Sequence, residues 1–204
     1  MKRFDLSELS AGEPYKLLAS LVVPRPIAWV STVADTGVVN IAPYSFFNLL
    51  GSDPPIVALG IAPAKRTGEP KDTGHNLGAI GAGFVVHLVD EASAEAMNQT
   101  AAELPAGESE AERANLEPVY DTVTVAVPRI ASAPAALECR VAEIVCVGNN
   151  RVVIGEVLFV HLQDRLWDDE TRRVRTEEAH FIGRMHGGGF YTRTGDLFAL
   201  ERPR

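Results

Sequence analysis

The chain has 204 residues, of which 46% are apolar and 23% charged, and its formal net charge is −8. This length suits one large domain or two small ones, and the composition is that of a globular protein. The acidic balance argues against nucleic-acid binding, and no apolar run is long enough to span a membrane. Because the N-terminal segment MKRFDLSELSAGEP has acidic residues and no apolar stretch, we infer no signal peptide and expect a soluble, cytoplasmic protein.

The first part of the chain is predicted to contain a short helix followed by β-strands. Residues 13–21 form the candidate helix, and β-rich runs follow at 27–34 and 38–42. Residues 55–62 are a continuous apolar run with the length of a buried strand. Between these runs, the segment 40–55 (NIAPYSFFNLLGSDPP) fits neither the helical period nor strand alternation.

The rest of the chain continues the β-rich pattern with short helical insertions. Asp72 or Thr73 is a candidate N-cap for a helix, and a strand is predicted at 84–89. Residues 91–116 form two helical pieces broken at Pro105-Ala106-Gly107. The clearest hairpin pairs 136–147 with 151–162 across Gly148-Asn149-Asn150. The pattern suggests a closed β-barrel with helical insertions, and we find no repeat or domain linker.

The two cysteines and the histidines give no metal or disulfide signal. Cys139 and Cys146 lie in one predicted strand, roughly 23 Å apart and on opposite faces, so they cannot bridge each other. We expect both to be buried free thiols. No CxxC or HExxH motif is present, and the scattered histidines do not predict a metal site.

Several polar and cationic residues lie where they could hold a ligand that is aromatic at one end and anionic at the other. Such a ligand needs an apolar slot together with hydroxyls, amides and a cation, and a helix N-terminus beside a cation suits phosphate. The candidates are Ser31-Thr32, the run Ser45-Phe46-Phe47-Asn48, and the cations Lys65, Arg66 and Lys71. Taken singly, each has an ordinary explanation in the core, in the sheet, at a helix cap or on a solvated surface. From these residues alone, the sequence predicts only a β-barrel with a candidate anion site.

Four linked motifs resemble those of the flavin reductase-like family. PRPIAWVST (24–32), NIAPYSFFN (40–48), SDPPIVALGI (52–61) and PKDTGHN (70–76) occur in the family's order. The segments 134–144, 152–162 and GRMHGGGFY (183–191) also agree. The resemblance is weakest in the N-terminal dozen residues and in 91–118. It implies a mainly β fold, the FMN-binding split β-barrel with short helical insertions, with residues 1–204 as a single flavin reductase-like domain.

The resemblance also implies an FMN site. The isoalloxazine and ribityl chain would be contacted by Val30, Ser31 and Thr32. The ring edge and tail would be contacted by Ser45, Phe46, Phe47 and Asn48. The phosphate would be bound by Lys71, Thr73 and Asn76, with help from Arg66. The mixed stretch 40–55 is then explained by a ligand with one apolar and one charged end. His186 departs from the family's closing segment, where we expect an apolar residue, and we interpret it as a surface or interface residue.

The implied activity is an NAD(P)H-dependent flavin reductase, an oxidoreductase that passes hydride from NADH or NADPH to FMN. Because the flavin is itself the hydride acceptor, no catalytic side chain is assigned. A homodimer with flavin near the subunit interface is expected, with a partner monooxygenase as a candidate acceptor of reduced flavin. The nicotinamide nucleotide would bind only transiently, because no G-x-G-x-x-G fingerprint is present. The alternatives are an FMN-binding electron carrier or flavin-storage protein without NAD(P)H turnover, and a flavin-free interaction barrel.

Overall fold

A curved antiparallel sheet forms most of the molecule. The computed structural model describes residues 1–62, 64, 68, 71–105 and 108–203. The seven strands of this sheet are β1 Ala28–Val33, β2 Val39–Tyr44, β3 Phe47–Ser52, β4 Pro55–Ile61, β5 Gly83–Leu88, β8 Ala135–Val147 and β9 Asn150–Leu162. They pair in the order β2-β1-β5-β8-β9-β4-β3.

The two edges of this sheet belong to consecutive strands. β2 and β3 lie at opposite ends of the strand order, yet only Ser45 and Phe46 separate them in the chain. The sheet therefore curls until its edges approach each other, and β2 also contacts β4. The strand pattern alone predicted a closed barrel. Instead, no ladder joins β2 to β3 in the described sheet, and the barrel is split, as the family resemblance implied.

Short helices and strand pairs complete the fold. The helices are α1 Glu13–Leu21, α2 Asp72–Asn76, α3 Ala94–Gln99, α4 Glu110–Arg113 and α5 Thr176–Ala179. Short 3-10 turns occur at Leu6–Glu8 and Asp164–Leu166. The remaining strands form the pairs β6 Pro118–Val119 with β7 Arg129–Ile130, β10 Trp167–Asp168 with β11 Arg173–Val174, and β12 Ile182–Arg184 with β13 Tyr191–Arg193.

Strand β1 is buried on both faces because it separates two apolar clusters. Ala28 and Val30 pack inside the barrel with residues such as Phe84. Trp29 points the other way and packs with Met97 of α3 in an outer layer. Gly155 of β9 makes room inside the barrel, since a Cβ at this position would overlap the Phe84 ring. This two-sided burial explains why residues 27–34 read as a nearly continuous apolar run.

The structure confirms most of the predicted elements. The helix at 13–21, the hairpin around 148–150 and both helical pieces within 91–116 are present, although residues 106 and 107 of the predicted break lie outside the described residues. The N-cap of α2 is Lys71 rather than Asp72 or Thr73. Strand β3 was not predicted, because this edge strand is largely exposed and its pairing with β4 shifts register between Leu49 and Gly51.

The prediction of two buried thiols is half wrong. Both cysteines are free, and Cys139 is buried, which raises the pKa of its thiol to about 12. Cys146 is exposed. The reason is that β8 leaves the barrel core beyond Val141, where the ladder to β9 also shifts register between Val141 and Glu143.

Candidate functional site

An apolar cavity of about 610 Å³ opens beside the split in the barrel. Phe46, Phe47 and Asn48 line one side, and Ala58, Gly60 and Ala62 of the β4 region line another. Gly60 is required by the close packing, because a Cβ there would lie 2.9 Å from Phe46 Cβ. The Gly60 N–H also donates to Phe46 O at 2.7 Å, which fixes the Phe46 backbone at the mouth of the cavity.

A second cavity of about 390 Å³ continues from the first. The two share four lining residues: Ala62, Asn149, Asn150 and Arg151. The second cavity adds Lys71, His75 and Cys146. We call the combined space the groove. Its Phe46 end is apolar, and its Lys71 end carries the cations Lys71 and Arg151.

A buried hydrogen-bond network holds α2 against the sheet at the cationic end. The amide of Asn76 donates to Thr32 Oγ1 at 2.9 Å. The amide of Asn40 donates to Thr32 Oγ1 at 3.3 Å and to Thr73 Oγ1 at 2.8 Å. Thr32 and Asn40 face each other directly in the β1–β2 ladder, so the sheet register places both beneath α2. The network fixes the position of the residue that precedes the helix, Lys71.

Tyr44 is a further buried member of this region. Burial is the main reason that its pKa rises to about 12, with Glu110 and Asp72 adding to the effect and a hydrogen bond with Thr73 opposing it. The phenol therefore stays neutral near pH 7 and acts as a hydrogen-bonding group rather than as a base.

Lys71 and Arg151 approach the groove from different parts of the chain. Within the described part of the chain, the Lys71 ammonium has no hydrogen bond or ion pair. Arg151 donates from Nη1 to Gly74 O of α2, which ties the end of the long hairpin to that helix. Because α2 has only five residues, its dipole adds little, and these two side chains provide the positive charge.

The structure brings most of the predicted site residues to the groove or directly beneath it. Phe46, Phe47, Asn48 and Lys71 line the groove. Thr32, Thr73 and Asn76 belong to the network under α2, and Val30 lies in the adjacent barrel core. These positions come from three separate motifs, and the curled sheet places them together.

Three predicted residues differ from this arrangement. Ser31 lies on the opposite face of β1 from Val30 and Thr32, and its buried hydroxyl donates to Pro128 O at 2.7 Å. Ser45 Oγ accepts from Arg25 Nε at 3.3 Å at the apolar end. Arg66 lies outside the described residues, so the structure does not place it.

Sequence reasoning did not select Arg151 or Arg25, both of which lie next to the groove. Each makes contacts with segments that are distant in sequence, so no local motif marks its role. Arg151 could have been found from the predicted hairpin, since it directly follows the turn at Gly148-Asn149-Asn150.

The histidines lie in different environments. His87 is fully buried, with Nδ1 2.7 Å from Trp29 O and Nε2 accepting from the Ile130 N–H at 2.9 Å. His161 Nε2 is 2.6 Å from Glu138 Oε1, toward the end of the β8–β9 hairpin that is remote from the Asn149-Asn150 turn.

His75 lines the cationic end, and His186 stacks on Phe190 with ring centroids 5.3 Å apart. Among the described residues, no group of His, Cys, Asp or Glu is arranged to hold a metal ion.

The lining of the groove fits FMN. The Phe46 end provides an apolar surface for an aromatic ring system, and the Lys71 end provides two cations for a phosphate. The two cavities, of about 610 and 390 Å³, each have a volume within the range of small-molecule sites, about 300–1,000 Å³.

Comparison with known proteins identifies the family. Residues 20–176 match the sequence model of the family described as "Flavin reductase like domain". The chain belongs to the flavin reductase-like family. In the part of this family member that the structure describes, no helix has the length and hydropathy to cross a membrane.

Solved structures agree with this assignment. Nitrilotriacetate monooxygenase component B from Bacillus cereus is 34% identical, with a TM-score of 0.90 and coverage of 98% of both chains. The 2-nitrobenzoate 2-nitroreductase NbaA of Pseudomonas fluorescens is 34% identical, with a TM-score of 0.88 over 99% of this chain and 96% of that one. A Shewanella frigidimarina protein with a split barrel domain is 20% identical, with a TM-score of 0.83 over 100% of both chains, and supports the fold.

Proposed function

We propose that the protein is an NAD(P)H-dependent flavin reductase that passes hydride from NADH or NADPH to FMN. The observation that carries this proposal is the groove, apolar at Phe46 and Phe47 and cationic at Lys71 and Arg151, in a member of the flavin reductase-like family. The similarity to a monooxygenase component supports a further step, in which reduced flavin is supplied to a partner monooxygenase.

Each end of the groove has a defined part in holding the cofactor. When bound, FMN supplies the hydride-accepting chemistry, and the protein supplies orientation and electrostatics. The ring end would be held by Phe46, Phe47 and Asn48, with Val30 in the core cluster that Phe47 packs against and Ser45 next to Phe46 in the chain. The phosphate would be neutralised by Lys71 and Arg151, and Thr32, Thr73 and Asn76 would keep α2 in place for this contact. The hydroxyl of Ser31 is already bonded to Pro128 O, so its contribution would be to the packing of β1.

We further propose a homodimer that buries the apolar surface next to the groove. The Tyr15 ring of α1 contacts the Phe46 ring next to β3, with centroids 6.2 Å apart. Large exposed apolar side chains lie in these two elements or directly beside them: Tyr15, Leu18, Leu21, Val22, Phe46, Leu49 and Leu50. We call this surface the α1–β3 face. A second copy on it would cover the Phe46 end of the groove and exclude water from the ring, which favours hydride transfer over side reactions.

Anaerobic titration of the purified protein tests the proposal. We expect FMN to bind more tightly than riboflavin, because only FMN has the phosphate that Lys71 and Arg151 neutralise. Adding NADH or NADPH should then bleach the visible spectrum of the bound flavin. Bound flavin that neither nucleotide bleaches would instead support an FMN-binding electron carrier or storage protein. A protein that binds neither flavin would contradict both functions.

A further inference from the structure

Arg25 is a buried cation that joins three segments of the chain. The residue is only 7% exposed. Its Nη1 donates to Ala19 O at 2.6 Å and to Val22 O at 2.9 Å, at the end of α1. Its Nη2 donates to Met185 O at 3.3 Å, and Nε donates to Ser45 Oγ at 3.3 Å.

All of these acceptors are neutral, so the charge of Arg25 is not cancelled by a carboxylate. Throughout residues 1–62, 64, 68, 71–105 and 108–203, no acidic side chain forms an ion pair with Arg25. The partial negative charge at the end of α1 offsets only part of the guanidinium charge. The backbone of Arg184 bonds to that of Arg25, but the Arg184 guanidinium lies over the Tyr191 ring and donates to Gly187 O.

This uncancelled charge is close to the apolar end of the groove. The Arg25 Cζ atom is 5.9 Å from the centroid of the Phe46 ring, which lines the groove. Ser45, which directly precedes Phe46 in the chain, accepts a hydrogen bond from the same guanidinium. A charge that is mostly shielded from water acts on its surroundings with little screening by salt.

We propose that Arg25 is a positioning residue whose charge makes the groove favour reduced FMN over oxidised FMN. This inference rests on the proposed function. Hydride from NAD(P)H brings two electrons and one proton to the flavin and leaves NAD(P)⁺. The flavin therefore gains one negative charge, unless it takes up a second proton. With the flavin held at the Phe46 end, the fixed Arg25 cation would stabilise that added charge and would leave the uncharged oxidised ring nearly unaffected.

The test measures the dissociation constants of oxidised and reduced FMN, and from them the reduction potential of the bound flavin. In Arg25→Gln, we expect the preference for reduced FMN to fall at least about tenfold, a shift of about 30 mV toward lower potential for a two-electron couple. Arg25→Lys keeps the charge and should keep the preference. Arg140→Gln is the matched control, since Arg140 is exposed and paired with Glu156, and it should leave the preference unchanged.

A second pair of variants tests the charge without removing Arg25, in case Arg25→Gln fails to fold. Ser45→Asp places a carboxylate beside the guanidinium and should lower the preference, as Arg25→Gln does. Ser45→Ala removes the same hydroxyl without adding charge and should keep the preference. Equal loss of affinity for both forms of FMN in Arg25→Gln and Ser45→Asp would overturn the inference and leave the proposed function intact. A wild-type protein that binds no FMN would overturn both.

Discussion

Lys71 and Arg151 place two cations close together in an otherwise acidic protein. The chain has a net charge of −8, yet these two cations line one end of a single groove. Arg151 is held by the α2 backbone, whereas the Lys71 ammonium has no polar partner among the described residues. Lys71 is therefore the residue whose removal should affect phosphate binding with the smallest effect on folding.

For Lys71→Ala, we predict FMN binding that is roughly 10- to 100-fold weaker than in wild type. A charge-assisted hydrogen bond is worth about 1.5–3 kcal/mol, and 1.4 kcal/mol corresponds to a factor of ten. Calorimetric titration with FMN measures the change. Added salt should weaken wild type more than the variant, because only wild type keeps this ionic contact.

Lys2→Ala is the matched control for Lys71→Ala, since Lys2 is exposed near the N-terminus. It should leave FMN affinity unchanged, and both variants should unfold at the wild-type temperature without FMN. An unchanged dissociation constant for Lys71→Ala would show that the phosphate binds elsewhere, and Arg151 would be the next residue to substitute.

The buried His87 predicts that stability falls in mild acid. Burial is the main reason that the pKa of His87 drops from 6.5 to about 4, with its bond to Trp29 O opposing the shift. As pH falls below 6.5, the unfolded chain therefore takes up the proton before the folded chain does. The free energy of unfolding should decrease by about 2 kcal/mol between pH 7 and pH 5, at 1.36 kcal/mol per pKa unit.

Urea unfolding at pH 7, 6 and 5 measures this loss for the flavin-free protein. His87→Gln should have a lower free energy of unfolding than wild type at pH 7. This free energy should then change little between pH 7 and pH 5. Glu138 does not contribute in this window. Burial raises its pKa, but hydrogen bonds from Thr124, His161 and backbone N–H groups lower it further, to about 2. The same pH slope in His87→Gln and wild type would rule out His87 as the source.

At the residue scale, the candidate site residues that could be selected from the sequence are those that lie in short local motifs. Phe46, Phe47, Asn48 and Lys71 were selected because each lies in a short recognisable segment, and all four line the groove; their role in binding stays a prediction. The direction of Ser31 was predictable in principle, because strand alternation sets it opposite to Val30 and Thr32. Arg25 and Arg151 were not predictable in this way, because their partners come from distant segments.

At the element scale, α2 is maintained by its surroundings. A helix of five residues is not stable alone, and its N-cap Lys71 makes no side-chain capping bond. The bonds from Asn76 to Thr32 and from Asn40 to Thr73 connect it to β1 and β2. The sequence indicated a helix start near residue 72, but it could not show that these side chains are used to anchor the helix.

We predict that Thr73→Val destabilises the protein even without flavin. The substitution keeps the shape of Thr73 but leaves the buried Asn40 amide without one of its acceptors and removes the hydrogen bond between Thr73 and Tyr44. An unsatisfied buried polar group costs about 1–3 kcal/mol, which urea unfolding can measure.

The exposed Thr36 provides the control, because Thr36→Val should leave the stability nearly unchanged. FMN affinity should also fall in Thr73→Val, since α2 positions Lys71. If Thr73 served only as a phosphate ligand, the flavin-free variant would be as stable as wild type.

Neither strand β3 nor the split in the barrel follows from local strand patterns, although the family resemblance implied the split. Strand prediction relies on alternation between a buried and an exposed face, and β3 has neither regular burial nor regular register. An open edge between β2 and β3 depends on how the whole sheet curls, which no local pattern encodes. By contrast, the β8–β9 hairpin combines long β-rich runs with a turn signal, and it was predicted nearly to its ends.

At the scale of the whole molecule, the barrel buries its interior but leaves the α1–β3 face uncovered. Leu49 is 64% exposed, on the edge strand beside the groove. Monomeric proteins rarely present this many adjacent large apolar side chains, and such surfaces often mark interfaces. A second copy placed here would extend the apolar environment of Phe46.

We therefore predict that the protein is a dimer in solution and that Leu49→Lys dissociates it. In a two-fold interface each substitution occurs twice. Losing the burial of two leucine side chains costs about 3–6 kcal/mol in total, which weakens dimerisation by roughly two to four orders of magnitude. Light scattering at micromolar concentration should give a dimer mass for wild type and a monomer mass for Leu49→Lys.

Val174→Lys changes an exposed apolar residue of the separate β10–β11 pair and should remain dimeric. If Leu49→Lys is monomeric and still binds FMN as tightly as wild type does, the second copy does not cover the ring end of the groove; a monomeric wild type would refute the dimer itself.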